Sequence, residues 1–212
     1  MIKYNKKIKR LGIMLVISSP SGAGKTTLAR KLISEDDGIE LSISVTTRKR
    51  RKLEKNNEDY IFVNKKTFES MIKKNMFLEH AEVFGNKYGT SKETVINKLK
   101  AGKDILFDID WQGTQELKEK ESKNLVSVFI LPPSTKELEK RLLKRAQDSR
   151  QEVKKRMDEA SSEITHWAEY DYVIINDNLE ETLSKLKAIL IAERLKRARQ
   201  TGLNNFIRKV IS

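Results

Sequence analysis

The stretch SSPSGAGKTT, at residues 18–27, restricts the possible folds of this chain more than any other part of it. An apolar run at residues 13–17 precedes it and a helix-like run at residues 28–33 follows, which is the strand, loop and helix order of a phosphate-binding P-loop. Ser19 stands where the motif has its first glycine. The alternative is a Gly/Ser turn that binds nothing.

The residue types in this loop suit a nucleoside triphosphate with Mg²⁺. Gly22 and Gly24 let the backbone N–H groups turn toward phosphate oxygens. The start of the following helix adds a partial positive charge. Lys25 is predicted to reach the β- and γ-phosphates, and the Thr26 hydroxyl is predicted to ligate Mg²⁺.

Length and composition bound the class of protein. A chain of 212 residues forms one large domain, or a core with small insertions. The absence of cysteine excludes disulfides, thiolate catalysis and Cys-ligated metals, and it favours a reducing compartment, so we expect a cytoplasmic protein. The apolar runs are too short to cross a membrane, and the basic N-terminus followed by residues 11–17 is too short for a signal peptide.

The net charge of +13 indicates an anionic partner. Nucleic acid is the usual candidate, but a pair of nucleotides is also strongly anionic. The sequence has no basic repeat interleaved with aromatic residues, which favours the small substrates over nucleic acid. Lysines on solvated faces account for part of the excess.

Strand-like and helix-like runs alternate along the chain, which predicts an α/β fold with a parallel sheet flanked by helices. The predicted core strands lie at residues 12–18, 41–45, 104–110, 125–131 and 170–176. The predicted core helices lie at residues 24–34, 92–100, 111–120, 134–146 and 179–200, with a further short helix or tail at 203–212.

Two segments differ from this core in composition and in their secondary-structure pattern. Residues 42–90 predict a small mixed α+β insertion with a strand at 59–63, a helix at 65–74 and a hairpin at 76–88. Residues 147–168 are helical in pattern but too polar for a core helix, which predicts a mobile flap. The predicted parts are a P-loop core (1–41, 91–136 and 170–212), the insertion (42–90) and a helical lid (137–169).

A basic cluster with nearby hydroxyls predicts a second phosphate site. Two guanidinium groups can grip a phosphate, and hydroxyls can complete its shell. A second clamp implies a second phosphorylated substrate, whereas the alternative is a solvated run of charge. The residues of this predicted clamp are Ser44, Arg48, Arg51, Tyr60 and Tyr88.

Carboxylates predict a metal contact and the recognition of a base. Asp108 and Asp110 end a predicted strand, where α/β sheets bind ligands, and Asp110 could hold Mg²⁺ through water. Asp108 and Glu79 could accept the N1–H and N2–H₂ donors of guanine, and Thr90 could donate to its O6. The alternative for each acid alone is a surface carboxylate or a helix cap.

Three arginines follow in the predicted lid. Arg141 and Arg145 share a helix face, and Arg156 lies on the flap. Such cations can neutralise a phosphoryl group in transfer. The alternative is a set of solvated helix charges paired with nearby glutamates.

The chain resembles the guanylate kinases from near residue 10 to beyond residue 195. The resemblance rests on motifs in a fixed order: SGAGKT at 21–26, SISVTTR at 42–48, EDYIFV at 58–63, FLEHA at 77–81, GNKYGT at 85–90, ILFDIDWQG at 105–113, FILPPS at 129–134 and EYDYVIIND at 169–177.

The resemblance implies an enzyme that converts ATP and GMP to ADP and GDP, and that also accepts dGMP. It implies Mg²⁺ held by Thr26 and, through water, by Asp110. It implies that the transferred phosphoryl group is contacted by Lys25, Arg141, Arg145 and Arg156. ATP is expected on Ser19, Pro20, Ser21, Gly22, Ala23, Gly24, Lys25, Thr26 and Thr27, with Asn176 near the adenine. GMP is expected on Ser44, Arg48, Arg51, Tyr60, Glu79, Tyr88, Thr90 and Asp108.

Four positions depart from the family pattern. The family commonly has proline where Arg50 stands, glycine where Leu53 and Asn57 stand, and glycine where Ala146 stands. Two other functions remain: a P-loop kinase for another acceptor such as a sugar phosphate, and a non-catalytic binding module. The three predicted base-reading residues oppose the first, and the intact Lys25 and Thr26 oppose the second. The sequence leaves monomer and homo-oligomer equally open.

Overall fold

The computed structural model describes residues 8–52, 54–83, 85–145 and 150–212. A five-stranded sheet in the order β2-β7-β1-β8-β9 forms the centre, and each neighbouring pair of strands is parallel. The strands are β1 (Met14–Ser18), β2 (Ile39–Leu41), β7 (Asp104–Phe107), β8 (Leu125–Leu131) and β9 (Tyr172–Ile175). This arrangement confirms the predicted α/β fold.

Helices cover both faces of this sheet, as parallel sheets require. One face is covered by α1 (Lys25–Glu35) and α7 (Leu179–Leu195), and the other by α3 (Lys92–Lys100) and α4 (Trp111–Glu121). The chain also has the helices α5 (Thr135–Arg145), α6 (Arg150–Ile164) and α8 (Leu203–Ile211). Leu15 and Ile17 pack with α1 and α7, whereas Met14 and Val16 pack with α3 and α4. β1 is therefore buried on both sides, which explains its uninterrupted apolar run.

A second, smaller sheet has the order β4-β3-β6-β5. Its elements are β3 (Ser44–Thr46), β4 (Ile61–Phe62), β5 (Phe77–Val83) and β6 (Asn86–Ser91), with α2 (Lys65–Lys73) packed against it. Phe68 of α2 stacks on Phe77 of β5 with 4.7 Å between the ring centroids. This is the mixed α+β unit that the sequence predicts, including the hairpin between β5 and β6.

Three predicted elements were wrong in their extent. The single strand at 41–45 is two strands in two different sheets, because Leu41 pairs with Leu106 whereas Ser44 pairs with Thr90. The strand at 104–110 ends at Phe107 because Asp110 caps α4. The helix at 179–200 ends at Leu195, and a short 3₁₀ turn, Arg197–Arg199, follows it.

The division into core, insertion and lid stays a prediction, although the change of sheet between β2 and β3 lies at its first boundary. Among the described residues, no helix is both long and apolar enough to span a membrane.

A buried carboxylate joins the sheet to both ends of the described chain. Asp104 is fully buried and accepts hydrogen bonds from the Ile13 N–H (2.9 Å), from Arg10 Nη1 (2.6 Å) and from Arg194 Nε (2.7 Å). Arg194 also pairs with Asp36, beyond the end of α1. These bonds lie at the amino-terminal edge of β1 and β7 and hold the start of β1 against α7.

Backbone hydrogen bonds add to these contacts. We call the bonds of Arg10 and Arg194 to Asp104, together with those between residues 9–11 and 199–202, the terminal clasp. The Leu11 N–H donates to the carbonyl oxygen of Arg199 at 2.8 Å, and the Gly202 N–H donates to that of Lys9 at 2.7 Å. Residues 9–11 therefore lie directly against residues 199–202.

Replacing Asp104 with alanine is expected to lower the free energy of unfolding by about 3 kcal/mol, because it leaves two largely buried arginines without their shared anion. Urea unfolding measures this change. Glu40→Gln is the control, since Glu40 makes a more exposed ion pair with Lys98, and it should change stability by less than about 0.5 kcal/mol. Equal effects of the two substitutions would contradict the role given to Asp104.

Candidate active site

A cavity of about 410 Å³ lies at the carboxyl end of β1. It is lined by the loop after β1, by the first turn of α1, by the N-cap residue of α4, and by one residue each of α5 and α6. The lining residues are Ser19, Pro20, Ser21, Gly22, Gly24, Lys25, Thr26, Thr27, Asp110, Arg141 and Glu163. The structure thus brings nearly all of the predicted triphosphate-binding residues to one cavity, while Ala23 is buried behind them.

The loop has the backbone shape that its glycines predict. Gly22 and Gly24 have φ angles of 91° and 103°, which side chains rarely allow. A Cβ at position 24 would also come within 2.5 Å of Asn176 Nδ2. That amide donates to the carbonyl oxygen of Ala23 at 2.7 Å, so buried Asn176 braces the loop from β9. Its expected place near the adenine stays a prediction.

Lys25 is anchored at the end of β7. Its Nζ lies 2.8 Å from Asp108 Oδ1 and donates to the carbonyl oxygen of Ile109 at 3.1 Å. The lysine charge therefore lies inside the cavity, beside the backbone that would surround a phosphate. Asp108 contacts this lysine, and its role in reading guanine stays a prediction.

Asp108 and Asp110 were expected on a strand, but β7 ends at Phe107. The alternation of side chains along a strand therefore does not determine where these two side chains lie. Asp110 is the N-cap of α4, and its Oδ1 accepts from the Gly113 N–H at 2.9 Å. The same residue lines the cavity together with Thr26. A carboxylate and a hydroxyl therefore face the space beside Lys25, which is the oxygen-rich surrounding that Mg²⁺ prefers.

The three lid arginines are placed differently. Arg141 lines the cavity, and both of its terminal nitrogens lie 3.2 Å from the carbonyl oxygen of Asn176. Its Nε donates to Glu137 at 3.2 Å. Arg156 lies half-buried on α6, and the side chain of Arg145 is outside the described residues. Their roles toward the phosphoryl group stay predictions.

Sequence reasoning missed Glu163, on the last turn of α6. Its Oε2 accepts a hydrogen bond from the Ser21 N–H at 3.2 Å. Burial raises the pKa of the Glu163 carboxyl, while the Ser21 N–H and the charge of Lys25 act in the opposite direction. Its position three residues after buried Ala160 is a signal that places it on the inner face of the helix.

Helix α6, in the segment predicted to be a flap, packs against α5. Val153 and Ala160 pack with Leu138 and Leu142 of α5. After α6, a 3₁₀ turn (Thr165–Glu169) places His166 flat against Trp111 of α4, with 3.7 Å between the ring centroids. The predicted mobility stays a prediction, and these contacts define where the helix lies.

The second sheet carries two of the three predicted base-reading residues, Glu79 and Thr90. The strand register sets Ser44 and Glu79 opposite Thr90. The Thr90 hydroxyl donates to Glu79 Oε1 at 2.6 Å, so its proton is committed to that carboxylate rather than directed at a base. Burial raises the pKa of Glu79, nearby Glu116 and Asp110 raise it further, and the Thr90 bond lowers it.

The predicted phosphate clamp centres on Arg48. Its guanidinium lies 5.2 Å from the Tyr60 ring centroid, and Tyr60 in turn lies 6.1 Å from Tyr88. Glu54, which sequence reasoning missed, binds Arg48 Nη2 at 2.6 Å. The other Glu54 oxygen accepts from the Arg51 N–H at 2.8 Å. One carboxylate therefore fixes both clamp arginines, although the Arg51 side chain remains exposed.

Three of the departures from the family pattern, Arg50, Leu53 and Asn57, lie in the segment that carries this clamp. Asn57, where the family commonly has glycine, has a φ of 66°. Asparagine tolerates this left-handed conformation better than most residues, so the turn is kept. Leu53 lies outside the described residues, as does Ala146.

The phosphate loop, the parallel sheet and the lined cavity define a P-loop nucleotide-binding protein of the α/β class. A family model described as guanylate kinase matches residues 12–193. A guanylate kinase of Nitrobacter winogradskyi is 53% identical over 203 residues, which cover 96% of this chain and 93% of that protein. One of Bradyrhizobium diazoefficiens is 54% identical over 201 residues, or 95% and 92% of the two chains.

A solved structure is similar in shape as well as in sequence. The crystal structure of guanylate kinase from Anaplasma phagocytophilum matches with a TM-score of 0.71 and 39% identity, over 95% of this chain and 96% of that one. The chain belongs to the guanylate kinase family.

Replacing Glu54 with glutamine is expected to raise the KM for the expected acceptor GMP about tenfold, with little change in kcat or in the KM for ATP. The substitution keeps the shape but removes the charge that orients Arg48, and a hydrogen bond to a charged group is typically worth 1.5–3 kcal/mol. Steady-state kinetics measures the three constants. Glu58→Gln is the control, because Glu58 pairs only with exposed Lys55 among the ion pairs described. A lower KM for GMP would show that Glu54 competes with the GMP phosphate instead.

Proposed function

We propose that this protein transfers the γ-phosphoryl group of ATP to GMP, giving ADP and GDP. The observation that carries the proposal is that one chain combines a cavity lined by the P-loop with a cluster of arginines and tyrosines and a buried carboxylate, Glu79. We assign a phosphate to each of the first two and guanine to the third. The first site is the cavity around Lys25 and the second is the Arg48 clamp. Membership of the guanylate kinase family supports the same reaction.

Lys25, Thr26 and the loop N–H groups would hold the ATP phosphates. Thr26 and, through water, Asp110 would hold Mg²⁺, which neutralises phosphate charge when it is bound. Among the described residues, no three His, Asp or Glu side chains form a group that could hold a metal ion by themselves. Mg²⁺ usually keeps several waters and takes its other ligands from substrate phosphates.

The second sheet would hold GMP. Arg48 and Arg51, with Ser44 and the two tyrosines, would bind its phosphate, and Glu79 and Asp108 would accept the N–H groups of guanine. Adenine carries an acceptor at N1, so it would leave a buried carboxylate without a donor. The Thr90 hydroxyl already donates to Glu79, so we expect it to orient this carboxylate. It could donate to guanine O6 only by giving up its bond to Glu79.

The chemistry needs alignment and neutralisation of charge more than a strong base. A GMP phosphate, with a second pKa of about 6, is already largely ionised at neutral pH. Lys25 and the arginines Arg141, Arg145 and Arg156 would reduce the repulsion between the two phosphates and stabilise the charge on the transferring group. Closure of the α5 and α6 region over the cavity would exclude water and so limit ATP hydrolysis.

An ADP-release assay with ATP and Mg²⁺ tests the proposal, with GMP, AMP, CMP, UMP and a sugar phosphate offered in parallel. ADP release with GMP is expected, and Lys25→Ala should abolish it while GMP binding remains. Release with the sugar phosphate alone would assign a different acceptor. Folded protein that binds GMP but releases no ADP with any acceptor would be a binding module.

Replacing Glu79 with glutamine is expected to weaken GMP binding about tenfold to a hundredfold and to reduce the preference for GMP over AMP. The pH dependence gives a second readout. Because the Glu79 pKa is raised and the ionised form accepts the guanine N–H groups, GMP binding should weaken as pH falls, and it should do so at a higher pH than an ordinary glutamate would cause.

Comparing the parent protein with Glu79→Gln at each pH separates this effect from the ionisation of the GMP phosphate, which is common to both. The ratio of their GMP affinities should shrink toward acid pH. If the ratio of the two GMP affinities does not change with pH, or if the preference for GMP over AMP is unchanged, Glu79 does not take part in guanine recognition.

A further inference from the structure

A carboxylate of the protein lies where an anion of ATP is expected. Glu163 Oε2 accepts a hydrogen bond from the Ser21 N–H at 3.2 Å, and Glu163 lines the same cavity as Lys25 and Thr26. The N–H groups of a phosphate loop are the donors that surround phosphate oxygens. Glu163 therefore engages one backbone donor of the loop that is proposed to bind the triphosphate.

The helix that carries Glu163 is held in place on two sides. Val153 and Ala160 of α6 pack against Leu138 and Leu142 of α5. Beyond its end, Glu169 is bonded by Gln115 and Lys118 of α4, and His166 stacks on Trp111. These contacts bring the carboxylate to the loop, so its position does not depend on the single bond to Ser21.

A phosphate oxygen and the Glu163 oxygen cannot both lie at hydrogen-bond distance along the Ser21 N–H. Two anions at this point would also repel each other, since the cavity walls limit their contact with water. Binding of ATP therefore requires that Glu163 withdraws, either by turning its side chain or by moving with α6.

We propose that the Glu163 carboxylate competes with ATP for the phosphate loop. It binds the loop when ATP is not bound, and the binding of ATP is thereby linked to the position of α6. This inference rests on the proposed assignment of the loop to ATP. The apparent affinity of a ligand falls by the fraction of protein that is able to bind it. If the Glu163 contact is formed in about 70–90% of molecules, ATP binding weakens about threefold to tenfold.

The test is calorimetric titration of the full-length protein with ATP and Mg²⁺ in the absence of GMP. Glu163→Gln keeps the shape but loses the charge, and Glu163→Ala removes the competing oxygens. Both are expected to bind ATP about threefold to tenfold more tightly than the parent protein. Titration with GMP should give the same affinity in all forms, because the Arg48 clamp does not include Glu163.

Glu159→Gln is the matched control. Glu159 lies one helical turn earlier on α6, is exposed, and lies 3.9 Å from Lys155. Its substitution removes the same unit of charge from the same helix without touching Ser21, so it should leave the ATP affinity unchanged. A similar gain in Glu159→Gln would mean that the overall charge of α6 is responsible and would overturn the proposal.

Weaker or unchanged ATP binding by both Glu163 variants would also overturn it, and weaker binding would make Glu163 a support of the loop. Thermal unfolding without nucleotide shows whether each variant is folded, and ATP should raise the melting temperature of Glu163→Gln more than that of the parent. Failure of the parent protein to bind ATP at all would instead contradict the proposed function. The two failures are therefore distinguishable.

Discussion

The parallel pairing of β1 with β7 on one side and β8 on the other is the constraint on which the rest of the structure depends. Parallel strands end at the same edge of a sheet, so the phosphate loop after β1 lies beside the segment that follows β7. The contact of Lys25 with Asp108 and the place of Asp110 both result from this order. The next strand, β9, adds Asn176 against the back of the loop. The site is thus assembled from segments far apart in sequence.

Protein carboxylates contact the cationic and N–H groups at each of the expected phosphate sites. Asp108 contacts Lys25, Glu54 contacts Arg48, and Glu163 contacts the Ser21 N–H. Partly buried cations are costly without a partner, so these pairs keep the groups oriented in the nucleotide-free protein. The three contacts are expected to respond differently to a phosphate: the proposed role of Glu163 is to compete with it, whereas the expected role of Glu54 is to stay with Arg48 and orient it.

The fold and the phosphate loop could be predicted from sequence because their signals are local. The apolar run of β1, the two glycines and Lys25 are contiguous, and strand and helix patterns alternate clearly. The split between β2 and β3 could not be predicted, because partners in two different sheets decide it. Glu54 and Glu163 were missed for a related reason: acids in charged segments look solvated until tertiary contacts show what they face. Asp108 and Asp110 were expected on one side of a strand end; the structure places them after β7, where Asp108 contacts Lys25 and Asp110 lines the same cavity, and their predicted roles stay predictions.

The terminal clasp has a consequence for how the chain is made. A nascent chain can pair β1 with β7 and β8 once residue 131 has left the ribosome, so the phosphate loop can take shape early. The bonds from Arg194 to Asp104 and from Leu11 to Arg199 can form only when some seventy further residues have emerged. Until then Asp104, at the amino-terminal edge of the sheet, has only Arg10 of its two arginine partners. During synthesis the terminal clasp is therefore expected to form late, at the end of the sheet opposite to the site.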